Sequence, residues 1–197
     1  MTRALIGVVL AMICLVLAGL AWAQSPPANP WGVGDQVPAA PKAPPPAGVR
    51  DIKWDDLLPK DWNPRRLLGE MGLGKMKDND PRADEILARI RAEYDRAPVV
   101  KELDGARVRL AGFLVMLEGT SRGVTEFLLV PYFGACIHVP PPPANQIVHV
   151  FPREPVPDSL AGEAIWVTGA LTTAQAHTRH GVVGYRIDAA QVEKYRR

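Results

Sequence analysis

The sequence predicts a mainly β protein: a small OB-like β-barrel behind an N-terminal helical segment, with a β-sandwich as the alternative. Three observations carry that expectation. From Leu103 onward the apolar residues recur at strand spacing in five short runs. Gly and Pro clusters separate the runs and leave little room for helix between them. Two runs also carry a mid-strand glycine, Gly112 and Gly169, which in small barrels marks a sharp bend or a bulge. Closing such strands into a barrel removes the exposed edges they would otherwise present.

The chain opens with a segment that predicts export. Arg3 supplies a positive start, Ala4 to Leu20 carry no charge, and Ala21-Trp22-Ala23 gives a small-x-small cleavage pattern before Gln24. No basic cluster follows, so residues 1–23 read as a cleaved signal peptide rather than a membrane anchor. The mature chain is then expected in the periplasm, with no membrane insertion after cleavage. Residues 24–49 read as a linker, because Pro26, Pro27, Pro30, Pro38, Pro41 and Pro44 to Pro46 favour extended, solvated backbone. One globular domain is expected over residues 50–197, with a helical lead-in at 50–98 and the barrel at 99–197.

In the lead-in, Trp54, Leu57 and Leu58 fall at helical spacing and Pro59 ends the turn, so its tryptophans should dock on the main domain. Asp80-Pro81 has the pattern of an N-cap followed by proline at the first helical position. Ile86, Leu87, Ile90 and Tyr94 make a narrow apolar stripe, and Pro98 stops the helix, which should lie on the surface. The strands are expected at Arg107 to Leu117, Val124 to Val130, Gln146 to Phe151, Ala164 to Leu171 and Val183 to Ile187. His177 and His180 then fall in a solvated loop between the last two.

Charge narrows the function classes. Lys+Arg number 23 against Asp+Glu 21, and no basic stripe with interleaved aromatics occurs, so nucleic acid is not an expected partner. Cys14 leaves with the signal, which leaves Cys136 as the one cysteine of the mature chain. A disulfide within one chain is thereby excluded. A lone thiol in an oxidising compartment is a liability unless it is buried, bonded to a metal, or used chemically.

Cys136 stands in Gly134-Ala-Cys-Ile-His138, followed by the stiff run Pro140 to Pro143 and by His149 on the next strand. In extended backbone, positions i and i+2 share a face with Cα atoms roughly 6.6 Å apart. Cys136 and His138 can then converge on one ion, with His149 as a third ligand if its strand is adjacent. Thiolate plus imidazole suits zinc or copper. Two other readings stay open at this point. Cys136 can be a small buried residue with His138 bonded to a backbone carbonyl. Alternatively, His138 lowers the Cys136 pKa and yields a reactive thiolate. Glu126 on the second strand reads as an ordinary outward carboxylate, with a fourth metal ligand as the alternative.

Beyond these local readings, Val124 to Gln146 resembles a domain-of-unknown-function family of exported bacterial proteins. Trp54-Asp-Asp-Leu-Leu-Pro59, Leu103-Asp-Gly, Val108 to Gly112, Trp166-Val-Thr-Gly169 and Gly184-Tyr185 extend the likeness to residues 51–195. The resemblance implies a periplasmic or lipid-anchored protein, in some members associated with ABC-type transporter components and metal-responsive systems. The His149 position is often aromatic in that family, and His177 and His180 lie outside its pattern. The expectation is therefore an accessory protein that binds zinc or copper through Cys136, His138 and His149 and serves envelope transporter components. A non-catalytic protein-interaction module, with Tyr132-Phe133 and Pro140 to Pro143 as its surface, is the alternative; a thiol-dependent enzyme is the third.

Overall fold

The alternating runs do become strands, and they close on one another. The computed structural model describes residues 30–38, 44–72, 80–137 and 141–196. The account below concerns the unit Trp31–Arg197. The expected signal peptide and His138 fall outside the described residues.

Six strands form one sheet: β1 (Arg50–Asp51), β2 (Arg107–Thr120), β3 (Gly123–Val130), β4 (Val148–Pro152), β5 (Ala164–Thr178) and β6 (Gly181–Lys194). The order is β1-β2-β3-β4-β6-β5, and β5 pairs back onto β2, so β2 to β6 are hydrogen-bonded in a ring. Only β4–β6 and the short β1–β2 contact are parallel. This is the OB-like arrangement expected, as a ring of irregular register rather than a regular barrel. A sandwich of two separate sheets is not formed.

One strand does most of the closing. The first half of β2 pairs with β5 from Arg107↔Ala170 to Phe113↔Ala164. Its second half pairs with β3 from Phe113↔Val130 to Thr120↔Gly123. Gly112 sits one residue before the change of partner. A Cβ there would meet the Val130 carbonyl oxygen at 2.7 Å and Trp54 Cζ2 at 2.9 Å, so only glycine lets these groups approach. Gly169 sits at a register shift between β5 and β6, and a Cβ on it would meet Ile187 Cγ2 at 2.3 Å.

Inside the ring, Val108, Leu110, Leu114, Phe127, Leu129, Val148, Val150, Ile165, Val167, Leu171, Tyr185 and Ile187 form the main core. A second cluster collects Phe113, Val115, Leu117, Leu128, Val130, Ile147 and Val183. β2 and β3 are therefore covered on both faces, which explains their nearly unbroken apolar sequence.

The lead-in docks as expected. A 3-10 turn at Trp54–Leu57 donates Trp54 Nε1 to the Ala111 carbonyl at 2.7 Å. Tyr185, fully buried, donates its hydroxyl to the Leu57 carbonyl at 2.9 Å and accepts from Val100 N–H at 2.7 Å. Arg109 of β2 binds Asp51 of β1 through Nε at 2.7 Å and Nη2 at 3.0 Å.

Four expectations need correction. The helix at 80–98 begins later than its proline implied, as α2 (Ala83–Asp95), because Asp80 binds Arg82 and the first turn is not helical. An unforeseen helix, α1 (Pro64–Glu70), starts behind Asn63, whose side chain accepts from Arg66 N–H at 3.3 Å; here the cap-then-proline pattern does operate. β5 and β6 run on as a long hairpin, so His177 lies in a strand and His180 in its turn rather than both in a loop. Finally, part of the proline-rich linker is no free spacer. Trp31 packs edge-on against Phe113 with centroids 5.0 Å apart. Gly34 N–H donates to the Phe133 carbonyl at 2.9 Å, and Phe133 N–H to the Asp35 carbonyl at 2.8 Å.

Candidate functional site

Cys136 ends the turn that follows β3, with a positive φ of 65° that non-glycine residues seldom adopt. Its side chain is half-buried against the second apolar cluster. Burial pushes the thiol up to about 12, which runs against the thiolate that nucleophilic chemistry requires. Cys136 also lines a small pocket of about 370 Å³ together with Arg91, Asp95, His177 and His180.

His149 lies elsewhere in its contacts. It sits mid-strand in β4, opposite Leu128 on one side and Arg186 on the other. Its Nε2 donates to Glu126 Oε1 at 2.7 Å, and its ring lies 4.5 Å from that of Phe151. Glu126, read from sequence as a plain outward carboxylate, is thus the partner of His149. Among the described residues, no group of three or more His, Cys, Asp or Glu side chains is placed to hold a metal ion.

A broad concavity lies where β2 and β5 meet the lead-in. It has a volume of about 920 Å³, the size of a site for a drug-sized ligand. Ala111 of β2 and Trp166 of β5 are register partners and both line it. Trp54 and Trp62 come from the lead-in, Tyr94 from α2, and Tyr132 from the turn after β3. Pro142, Pro143 and Gln146 come from the segment before β4, and Gln36 to Pro38 from the proline-rich stretch. One lysine and one aspartate, Lys53 and Asp55, leave the lining without net charge.

The aromatic side chains divide into two sets. In Trp54, Tyr185 and Tyr195 the polar atom donates to a backbone carbonyl, of Ala111, Leu57 and Pro38 respectively. Trp62, Tyr94, Tyr132 and Trp166 line the cleft, and their polar atoms have no hydrogen bond to another described residue. All four are only partly buried, and none of their polar atoms is a buried one left without a partner, so these groups are open to solvent along the cleft. Burial raises the Tyr94 pKa and pushes that of Tyr132 up to about 12, with Cys136 and Tyr94 adding to the second. Both phenols therefore remain hydrogen-bond donors at neutral pH. Trp166 is held in place by Arg109, 5.0 Å from its ring centroid, and by stacking with Tyr195 at 5.5 Å.

Sequence reasoning took Trp54 and Trp62 only as docking residues and did not single out Tyr94, Gln146 or Trp166 as parts of a site. One signal was available. Trp62 stands in Lys60-Asp-Trp-Asn63, without apolar neighbours of the kind a core tryptophan keeps.

Comparison with known proteins adds kinship without an activity. No curated protein matches the chain. A crystal structure of a DUF3299 family protein from Pseudomonas aeruginosa PAO1 is similar, at 35% identity and a TM-score of 0.60, over 76% of this chain and 97% of that one. The DUF3299 profile, described as a protein of unknown function, matches residues 54–194. The chain belongs to the DUF3299 family.

Proposed function

We propose that this protein is a non-catalytic binding module whose ligand occupies the aromatic cleft between β2, β5 and the lead-in. One observation carries the reading: Trp62, Tyr94, Tyr132 and Trp166 converge on one cleft with their hydrogen-bonding atoms unused by described residues. Such a wall offers ring faces for packing and N–H and O–H groups for orientation. It keeps the interaction-module expectation but moves its surface. Phe133 is engaged by the chain's own residues 34 and 35, whereas Tyr132 remains on the cleft. Export to the periplasm, as residues 1–23 imply, belongs to the same proposal.

The test is to soak crystals of the mature chain with a panel of small amides and aromatic fragments. Density concentrated between Trp62, Tyr132 and Trp166 supports the reading. Density confined to other surfaces contradicts it. The metal reading of Cys136, His138 and His149 has a separate test in metal content after purification without chelator. A zinc or copper stoichiometry near one that is lost in Cys136→Ser would establish it.

A further inference from the structure

One polar side chain of the cleft is buried, and its partners fix which of its atoms is left over. Gln146 is 9% exposed and is the one buried polar side chain in the described lining. It closes the 3-10 turn Ala144–Gln146, which follows Pro142 and Pro143. That turn is pinned from behind. Asn145, fully buried, donates Nδ2 to the Pro98 carbonyl at 2.8 Å, and Gln146 N–H donates to the Pro143 carbonyl at 2.7 Å.

The Gln146 amide has one orientation. Its Nε2 donates to the Trp54 carbonyl at 2.9 Å and to the Asn145 carbonyl at 3.0 Å, which uses both hydrogens. A flipped amide would set Oε1 against two carbonyl oxygens, so the partners decide the assignment. Oε1 accepts from no described residue. Nor is it sealed in the interior, where Asn145 Oδ1 alone among the described side chains is buried without a partner. Gln146 thus holds an acceptor at a fixed point, open where the residue lines the cleft.

The groups around it are complementary in kind. Trp62 and Trp166 offer N–H groups, and the neutral hydroxyls of Tyr94 and Tyr132 also donate. The other acceptor-bearing side chains of the lining, Gln36, Asp55 and Asn63, are exposed. A ligand that meets both the aromatic wall and Gln146 therefore needs an acceptor, a donor and a flat face. A carboxamide carries the first two on one planar, uncharged group, which suits a lining whose Lys53 and Asp55 offset each other.

We infer that Gln146 sets the specificity of the cleft, selecting uncharged ligands that present a carboxamide N–H to Oε1 beside a flat apolar face. This inference rests on the cleft being a ligand site.

The experiment titrates the 15N-labelled mature chain with benzamide and with methyl benzoate, which keeps the ring and the carbonyl but has no N–H. It follows the indole resonances of Trp62 and Trp166 and the side-chain amide resonances of Gln146. Benzamide should bind about fivefold tighter, the scale of one hydrogen bond exchanged with water, and should shift the Gln146 amide. In Gln146→Met, which keeps the length and loses the acceptor, the ratio of the two affinities should fall to about one. The melting temperature reads the lost bonds to Trp54 and Asn145 separately. A preference for benzamide that survives in Gln146→Met overturns the inference. Should that variant fail to fold, a crystal of the parent with benzamide decides: its nitrogen within hydrogen-bond distance of Oε1 supports the inference, and a nitrogen directed elsewhere overturns it. Equal binding of both probes at Trp62 and Trp166 overturns it while leaving the cleft a ligand site. No shift at either tryptophan with either probe removes the inference and the reading beneath it.

Discussion

Two residues show how local chemistry constrains this fold. Gly112 has no room for a Cβ, since the Val130 carbonyl and the Trp54 ring already occupy the position. Gly112→Ala is expected to destabilise the protein by about 1 to 3 kcal/mol through overpacking, read as a lower denaturant midpoint at unchanged slope. Cys136 makes a prediction in pH. Burial raises its folded pKa to about 12 from an ordinary value of 9.0, so the folded state favours the neutral thiol. That contribution is fully present below about pH 9 and is lost as pH rises toward about 12. Stability measured from pH 8 to 12 should fall less steeply in Cys136→Ala than in the parent. Equal slopes would mean that the thiol is not held in the apolar cluster. Mid-strand glycines were legible in the sequence because a residue without a side chain inside a strand has few other uses. The left-handed backbone at Cys136 was not, because nothing in its neighbours demands it.

At the scale of elements, the lead-in and the ring depend on one another through Tyr185. Its buried hydroxyl ties Leu57 and Val100 to β6. Tyr185→Phe leaves a carbonyl and an N–H without their partner and should cost about 1 to 3 kcal/mol, measurable by thermal or urea unfolding. A loss below about 0.5 kcal/mol would show that water replaces the hydroxyl at no cost. Elements were legible where one or both faces are apolar. β2, β3 and β4 kept close to their expected bounds for that reason. Beyond Leu171, β5 carries Thr172, Thr173, Gln175 and His177, only partly buried or exposed on both faces, and a strand wet on both sides has no hydrophobic alternation to read. The misplaced helix start has a different cause. Asp80 spends its carboxylate on Arg82 N–H and guanidinium, which fixes a turn instead of the first helical turn.

For the whole molecule, the ring was readable from its strands, but the cleft was not. Its lining comes from segments around residues 36–38, 52–68, 94, 110–111, 131–132, 142–146 and 166. No stretch of sequence holds more than a fraction of it, and periodicity reports only neighbours along the chain. Cys136 drew the sequence reading because a lone thiol near a histidine is a local pattern. Folding half-buries that thiol against the second cluster and assembles the aromatic wall from distant parts. The central claim is that this wall is a ligand site, and the indole N–H resonances of a 15N-labelled mature chain test it most directly. Trp31, which packs on Phe113 and does not line the cleft, serves as the internal control. On titration with cleft-directed amide fragments, the resonances of Trp62 and Trp166 should shift in a saturable manner while that of Trp31 moves least. Equal small shifts of all indoles, or none, would contradict the account.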